Sequence, residues 1–286
     1  MAPRTTLQWT ADDWLSLHAC AVWHPMHART IICPTVRLDR WTIAARAVLI
    51  GLACVLASCA PLPRRAGVPT LWQPSPNFGE RLPTFVVIHY TGADSASAAV
   101  RTLTSRQSQV SAHYLISRDG TIVQLVDERS RAWHAGESRW GVLGDLNSAS
   151  IGIELDNDGR SAYPPIQMDA LLGLLADLRQ RYRLPAANFL GHSDVAPRRK
   201  LDPGPLFPWR VLAASGFGLW CEAPYPEPPP GFDAITGLRA LGYDTRQPEA
   251  ALSAFRARYT SDAPPSDPVE RDRALIHCLA QASLDR

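Results

Sequence analysis

Five residues in the middle of this chain are of types that could do chemistry, at positions where a purely structural role is costly. His89 ends an otherwise apolar run, "FVVIHYT", Phe85 to Thr91. Glu154 interrupts "IGIEL", and a carboxylate in a buried strand is expensive unless it is paired or used. The loop "LGHSDVAPRRKLDPGPLFPW", residues 190 to 209, holds His192, Lys200 and Asp202. Each has a plainer reading. A lone histidine on a strand is commonly a hydrogen-bonded core residue, and a loop rich in Pro, Gly and Arg is commonly a solvated surface turn.

Taken together they suggest a metal site. His89, His192 and Asp202 are three protein ligands that leave a fourth position of a tetrahedral zinc ion open to water, the pattern of catalytic zinc rather than of closed structural sites. No cysteine lies between Ala60 and Trp220, so a thiolate site is excluded there. Water on such an ion has a pKa of roughly 7. Glu154 can take its proton, and Lys200, two residues before Asp202 and on the same side if Leu201 is extended, offers positive charge to a developing oxyanion.

The elements that must position these residues follow from periodicity. Phe85 to Thr91 is apolar on both faces and β-branched, as a central strand should be. "SAAVRTLTSRQ" is a short amphipathic helix, and "SAHYLISRDGTIVQLV" is a hairpin turning at Asp119-Gly120. "SIGIELDN" is another strand, "PIQMDALLGLLADLRQRYRL" a helix stopping before Pro185, and "NFLGHSD" a short strand. The expected fold is α/β, a mixed central β-sheet flanked by helices, over residues 78–218. A five-proline linker, 219–231, separates it from a small three-helix domain at 232–286. Every candidate catalytic residue lies before that linker, so the two parts are expected to be separable. Cys221 and Cys278 flank the helical region and could pair in an oxidising compartment.

The formal net charge is +2, and no dominant basic patch, aromatic-basic RNA motif or zinc-finger spacing is present, which argues against a nucleic-acid partner. Residues 1–58 read as a signal region. "RAVLIGLACVLASCAPLP" joins Arg46 to a short apolar run and then to small residues, and Leu56-Ala57-Ser58-Cys59 resembles the lipobox of bacterial lipoproteins, with Cys59 as the lipidated residue. Residues 1–35 look unlike the start of a signal, so a true start near Val36 is expected. Residues 59–77, rich in Pro and Arg, read as a tether.

The stretches "VIHYT", "SAHYLISRDGTIVQLVDERSRAWHAG", "SIGIELDN" and "GHSDVAPRRKLDPGPLFPW", in this order, resemble the zinc-dependent N-acetylmuramoyl-L-alanine amidases of the type 2 amidase family, related to peptidoglycan recognition proteins. The resemblance implies zinc on His89, His192 and Asp202, a catalytic glutamate at Glu154 and a catalytic lysine at Lys200. It also implies hydrolysis of the amide between N-acetylmuramic acid and L-alanine in peptidoglycan or muropeptides. Phage members of the wider family carry a functional tyrosine where this chain has Ala112, and a cysteine as third ligand where it has Asp202, so this chain follows the bacterial branch and His113 is expected to be structural. His134 is read either as lining the groove beside Trp133 or as packing, and Arg198 and Arg199 either as contacts to peptide carboxylates or as solvated charge. "GLRALGY" and "AFRARY" resemble a three-helix peptidoglycan-binding domain. With the lipobox, this order resembles lipid-anchored family members of the periplasm, on the outer membrane. A rival reading is a non-catalytic peptidoglycan recognition protein, though such members typically lose a metal ligand; a zinc peptidase cutting within the stem peptide is a third.

Overall fold

A computed structural model describes residues 67–80, 83–261 and 268–284. The signal region 1–58 and Cys59 lie outside the described residues. In chain order the elements are β1 (Leu71–Trp72), β2 (Phe78–Glu80), β3 (Phe85–Tyr90), α1 (Ala96–Leu103), β4 (Tyr114–Ile116), β5 (Ile122–Gln124) and β6 (Ser130–Ala132). There follow α2 (Leu146–Ala149), β7 (Ser150–Leu155), α3 (Pro165–Tyr182), β8 (Phe189–Gly191), α4 (His192–Val195) and α5 (Trp209–Ala214). The C-terminal helices are α6 (Ala234–Leu241), α7 (Pro248–Tyr259) and α8 (Pro268–Leu284).

Six strands form a mixed sheet in the order β1-β5-β4-β7-β3-β8, with β2 and β6 paired separately. The β4-β5 pair is the expected antiparallel hairpin, with Leu115 opposite Val123. The central pairs β3-β7, β3-β8 and β4-β7 are parallel. Strand residues alternate between faces, and this assigns the chemistry. Val86 and Ile88, beside Ile151 and Ile153, turn to one face, where Leu171, Leu174, Leu175 and Leu178 of α3 complete the largest core cluster. Those leucines recur at helical spacing and are wholly buried, each stabilising the fold by about 1.5–3 kcal/mol. Val87 and His89, beside Gly152 and Glu154, turn to the opposite face.

Two expectations change. The end of the supposed tether is not free: Leu71 and Trp72 pair in parallel with Val123 and Gln124, where main-chain hydrogen bonds satisfy the open edge of β5. The helical segment is not set apart either, and Leu62–Arg286 forms one compact unit. Leu219 and Cys221, assigned to the linker, are buried with Leu238, Phe255, Leu275 and Ile276 in the core of the helical segment, because the chain leaving α5 runs directly over those helices. The last helix runs for 17 residues.

Cys221 and Cys278 form a disulfide across a sequence separation of 57. Chain-entropy arguments put the stabilisation from closing such a loop on the order of 4 kcal/mol. Replacing both cysteines with alanine should therefore lower the urea midpoint and, because the uncrosslinked unfolded chain exposes more surface, steepen the slope, while addition of a reductant should do the same to the wild type and nothing to the variant.

Candidate metal centre

His89 and Glu154 are brought side by side by the in-register pairing of β3 and β7. His192 comes from the neighbouring strand's end: β8 stops at Gly191 and the chain turns at once into the four-residue helix α4, rather than continuing as strand to Asp194 as the sequence suggests. Gly191 is needed at that bend because a Cβ there would lie 2.8 Å from Pro203 Cδ and 3.0 Å from the Trp209 ring. The loop then returns so that the Ser193 N–H donates to the Asp202 carbonyl at 2.8 Å, and the Tyr163 hydroxyl donates to the Pro203 carbonyl at 2.7 Å. These bonds fix Asp202 against the two histidines.

Three atoms converge. His89 Nδ1 is 2.9 Å from His192 Nδ1, and each is 3.0 Å from Asp202 Oδ2. All three residues are buried, and among the described residues this is the group of His, Cys and acidic side chains that could hold a metal ion. The surrounding hydrogen bonds decide which nitrogens are bare. His192 Nε2 is 3.1 Å from the Ala135 carbonyl, which can only accept, so the ring proton sits on Nε2 and Nδ1 presents a lone pair. His89 Nε2 faces His134 Nδ1 at 3.1 Å, His134 Nε2 faces Ser150 Oγ at 3.4 Å, and the Ser150 hydroxyl donates to the Leu146 carbonyl. Read back from that carbonyl, the chain runs one way and leaves His89 Nδ1 bare as well. Two lone pairs and a carboxylate oxygen about 3 Å apart repel one another unless a cation lies between them. The donor set fits a metal ion.

Electrostatics agree. Burial and the facing His192 push His89 down to about 4 against the opposing pull of Asp202, so the imidazole is neutral, the form a metal requires. Burial raises Asp202, and only positive charge on the side of the two imidazoles brings the carboxyl well below the usual range; with both Nδ1 atoms bare, a cation seated between the three atoms would supply that charge. Glu154 is the reverse case. Its Oε2 is sealed from solvent with no hydrogen-bond partner, and burial followed by the Asp202 charge push it well above the usual range, with Lys200 pulling the other way.

Glu154 and Lys200 line one cavity of about 470 Å³ together with the three converging residues and with Thr102, Val110, Trp133 and Leu201. All five residues singled out in the sequence therefore meet. His113 is structural as expected: its Nδ1 accepts the Gly152 N–H at 2.9 Å and its Nε2 lies 3.0 Å from the Ser130 carbonyl. His134 lines the cavity and also holds His89, which sequence reasoning did not find. It fits because Gly152 has no side chain; a Cβ there would lie 2.4 Å from the His134 ring. Arg199 donates to the Ala135 carbonyl at 3.0 Å and so braces the segment that orients His192, whereas Arg198 makes an exposed pair with Glu137.

The Glu154 shift has a checkable consequence. Its folded value lies above its unfolded value, so the folded state holds the proton more tightly, and wild-type stability falls as pH rises above about 4.3 until the folded value is passed. In chelator-treated protein, Glu154→Gln should be more stable than wild type in urea titrations at about pH 7.5, with the difference vanishing near about pH 4. An equal difference at both pH values would contradict the burial of that carboxyl.

The family model for N-acetylmuramoyl-L-alanine amidase (Amidase_2) matches residues 79–205. The amidase AmiD of Escherichia coli K12 is 45% identical over 154 residues, covering 48% of this chain and 55% of that protein, so the aligned region spans about half the length of this curated relative. A solved complex of E. coli AmiD with anhydro-N-acetylmuramic acid-L-Ala-D-γ-Glu-L-Lys superposes with a TM-score of 0.62 at 32% identity, covering 77% of this chain and 93% of that one. The structure of AmpDh3 from Pseudomonas aeruginosa gives a TM-score of 0.62 at 30% identity, covering 78% and 99%. The mixed sheet, its helical layer and the converging His-His-Asp group thus come with relatives that match along most of the folded chain, and the protein belongs to the type 2 N-acetylmuramoyl-L-alanine amidase family.

Proposed function

We propose that this protein is a zinc-dependent hydrolase that cleaves the amide between the lactyl group of N-acetylmuramic acid and the L-alanine of a stem peptide, in peptidoglycan or in released muropeptides. The observation that carries the reading is the meeting of His89, His192 and Asp202 with an unpartnered Glu154 oxygen and Lys200 in one cavity. The complex of the E. coli relative with a muramyl peptide supports the substrate class. Two imidazoles and a carboxylate, with no thiolate, suit zinc.

His89, His192 and Asp202 would hold the zinc, which when bound would supply Lewis-acid charge to the scissile carbonyl and lower the pKa of the attacking water to roughly 7. His89 and His192 are fixed through their outward nitrogens, with Nδ1 of each turned to the metal position. Glu154 Oε2 accepts a proton from the attacking water and passes it to the departing α-amino group of alanine. Its Oε2, sealed in the cavity without a hydrogen-bond partner, is free to take that proton and release it. Lys200 presents its ammonium to the oxyanion that forms on the carbonyl. Trp133, whose indole N–H is buried without a partner, offers a donor to substrate within the same cavity.

The purified protein should bind one zinc per chain and release from a muropeptide an intact sugar and a peptide beginning with free L-alanine, identified by mass. Cleavage inside the peptide would assign a different bond. Glu154→Gln should keep zinc and muropeptide binding while turnover falls by about 10²-fold or more; wild-type turnover in that variant would remove Glu154 as the base.

We also propose that Cys59 carries a lipid anchor and that the enzyme works in the periplasm, attached to the outer membrane. The apolar run ending in Leu56-Ala57-Ser58-Cys59 supports this. Cys59→Ser should abolish fatty-acid labelling and move the protein to the soluble fraction; labelling that persists would contradict the anchor.

A further inference from the structure

Asp194 follows His192 by two residues on the single-turn helix α4 and is wholly buried. A buried carboxylate is tolerated only when its lone pairs are matched. Its Oδ2 accepts the Gly191 N–H at 2.8 Å and an N–H of the Arg258 guanidinium, while its Oδ1 accepts the Tyr243 hydroxyl at 2.7 Å. Only the first of these partners belongs to the sheet domain. Tyr243 follows α6 and Arg258 lies in α7, both in the C-terminal helical segment.

Arg258 is itself 4% exposed. Its second terminal nitrogen donates to the Phe189 carbonyl at 3.0 Å, and its guanidinium carbon lies 3.9 Å from the centroid of the Trp209 ring. One guanidinium therefore touches the first residue of β8, the turn carrying His192, and the tryptophan that packs against Gly191 at the end of the Asp202 loop. A second contact reaches the other side of the site. The Gly141 N–H donates to the Gly242 carbonyl at 2.7 Å, and the Trp140 ring packs edge-on against Tyr243 at 4.9 Å between centroids. Trp140 lies five residues after Ala135, whose carbonyl orients His192. A segment serving only to hold the cell wall would need none of these buried polar contacts to the ligand-bearing turn.

We propose that Arg258, acting through Asp194, is a positioning residue for the metal centre, so that the C-terminal helices are part of the catalytic unit and not solely a wall-binding appendage. The proposal rests on the reading of His89, His192 and Asp202 as the zinc site. Two of the three ligand atoms sit on β3 and in the Asp202 loop; His192 Nδ1 keeps its 2.9 Å and 3.0 Å spacing to them only while α4 holds its place. Without the Arg258 charge, Asp194 must draw in water or swing out, and either displaces α4.

The test is made on the full chain. Arg258→Met keeps much of the apolar side chain and removes the charge. Its zinc dissociation constant, measured by competition with a chelator, should rise by about 10–100-fold. The visible spectrum of the cobalt-loaded protein should change, and kcat on a soluble muropeptide should fall with KM within about twofold. Arg258→Lys, which keeps a charge but loses the planar fork, should recover part of the affinity. Tyr243→Phe removes one hydroxyl and should raise the dissociation constant a few-fold, about the worth of one buried hydrogen bond; it decides the matter if Arg258→Met does not fold. Wild-type zinc affinity and cobalt spectrum in Arg258→Met, or in Tyr243→Phe in that event, with any loss confined to binding of insoluble peptidoglycan, would overturn the proposal. A wild-type protein that binds zinc but cuts another bond would overturn the proposed reaction and leave this inference standing, whereas a wild type that binds no zinc would overturn both.

Discussion

A ring nitrogen can face a cation only if it carries no proton, and in this protein that condition is set by backbone carbonyls on the far side of both histidines. The Ala135 carbonyl takes the proton of His192 Nε2 directly; the Leu146 carbonyl does the same for His89 through Ser150 and His134. Both acceptors lie between residues 133 and 150, where Ala135 and Leu146 pack with Val87 against the face of the sheet opposite α3. The register of β3 and β7 matters for the same reason. It brings Gly152 under the His134 ring and Glu154 beside His89, and a slip of one residue would turn both away to the α3 face.

That sheet divides stability from chemistry. One face, packed by the leucines of α3, holds the largest apolar cluster. The other spends part of that stability on buried polar groups: a carboxylate with a sealed, unpartnered oxygen at Glu154, and the converging side chains of His89, His192 and Asp202. Desolvated charge of this kind is costly and is retained where it performs a task. The helical segment shares the cost, since Arg258 is held charged by Asp194 against its own burial and in turn neutralises that residue.

Much of this was legible in the sequence because the five central residues break apolar patterns. His89 and Glu154 interrupt β-branched runs, and His192, Lys200 and Asp202 crowd a loop whose prolines make chance hydrogen bonding less available. The hairpin, the long helix and the central strands followed from periods of two and 3.6. What the sequence did not show depends on contacts distant along the chain. His134 takes its role from a missing side chain 18 residues away at Gly152, and Arg258 meets Asp194 across 64 residues. No local pattern announces either contact. The two-residue strand β1 sits in a proline-rich stretch with no alternation to detect, and α4 is too short to display a helical period.

A zinc ion held by these residues would meet Nδ1, not Nε2, of both histidines. Two-bond ¹H–¹⁵N correlation spectra of zinc-loaded protein with labelled histidine read this directly, because metallated and protonated ring nitrogens resonate apart. His89 and His192 should both be Nε2–H tautomers with zinc on Nδ1, and removal of zinc should leave the Nε2 protons in place. Zinc on Nε2 of either ring, or Nδ1–H retained in the zinc-loaded state, would contradict it.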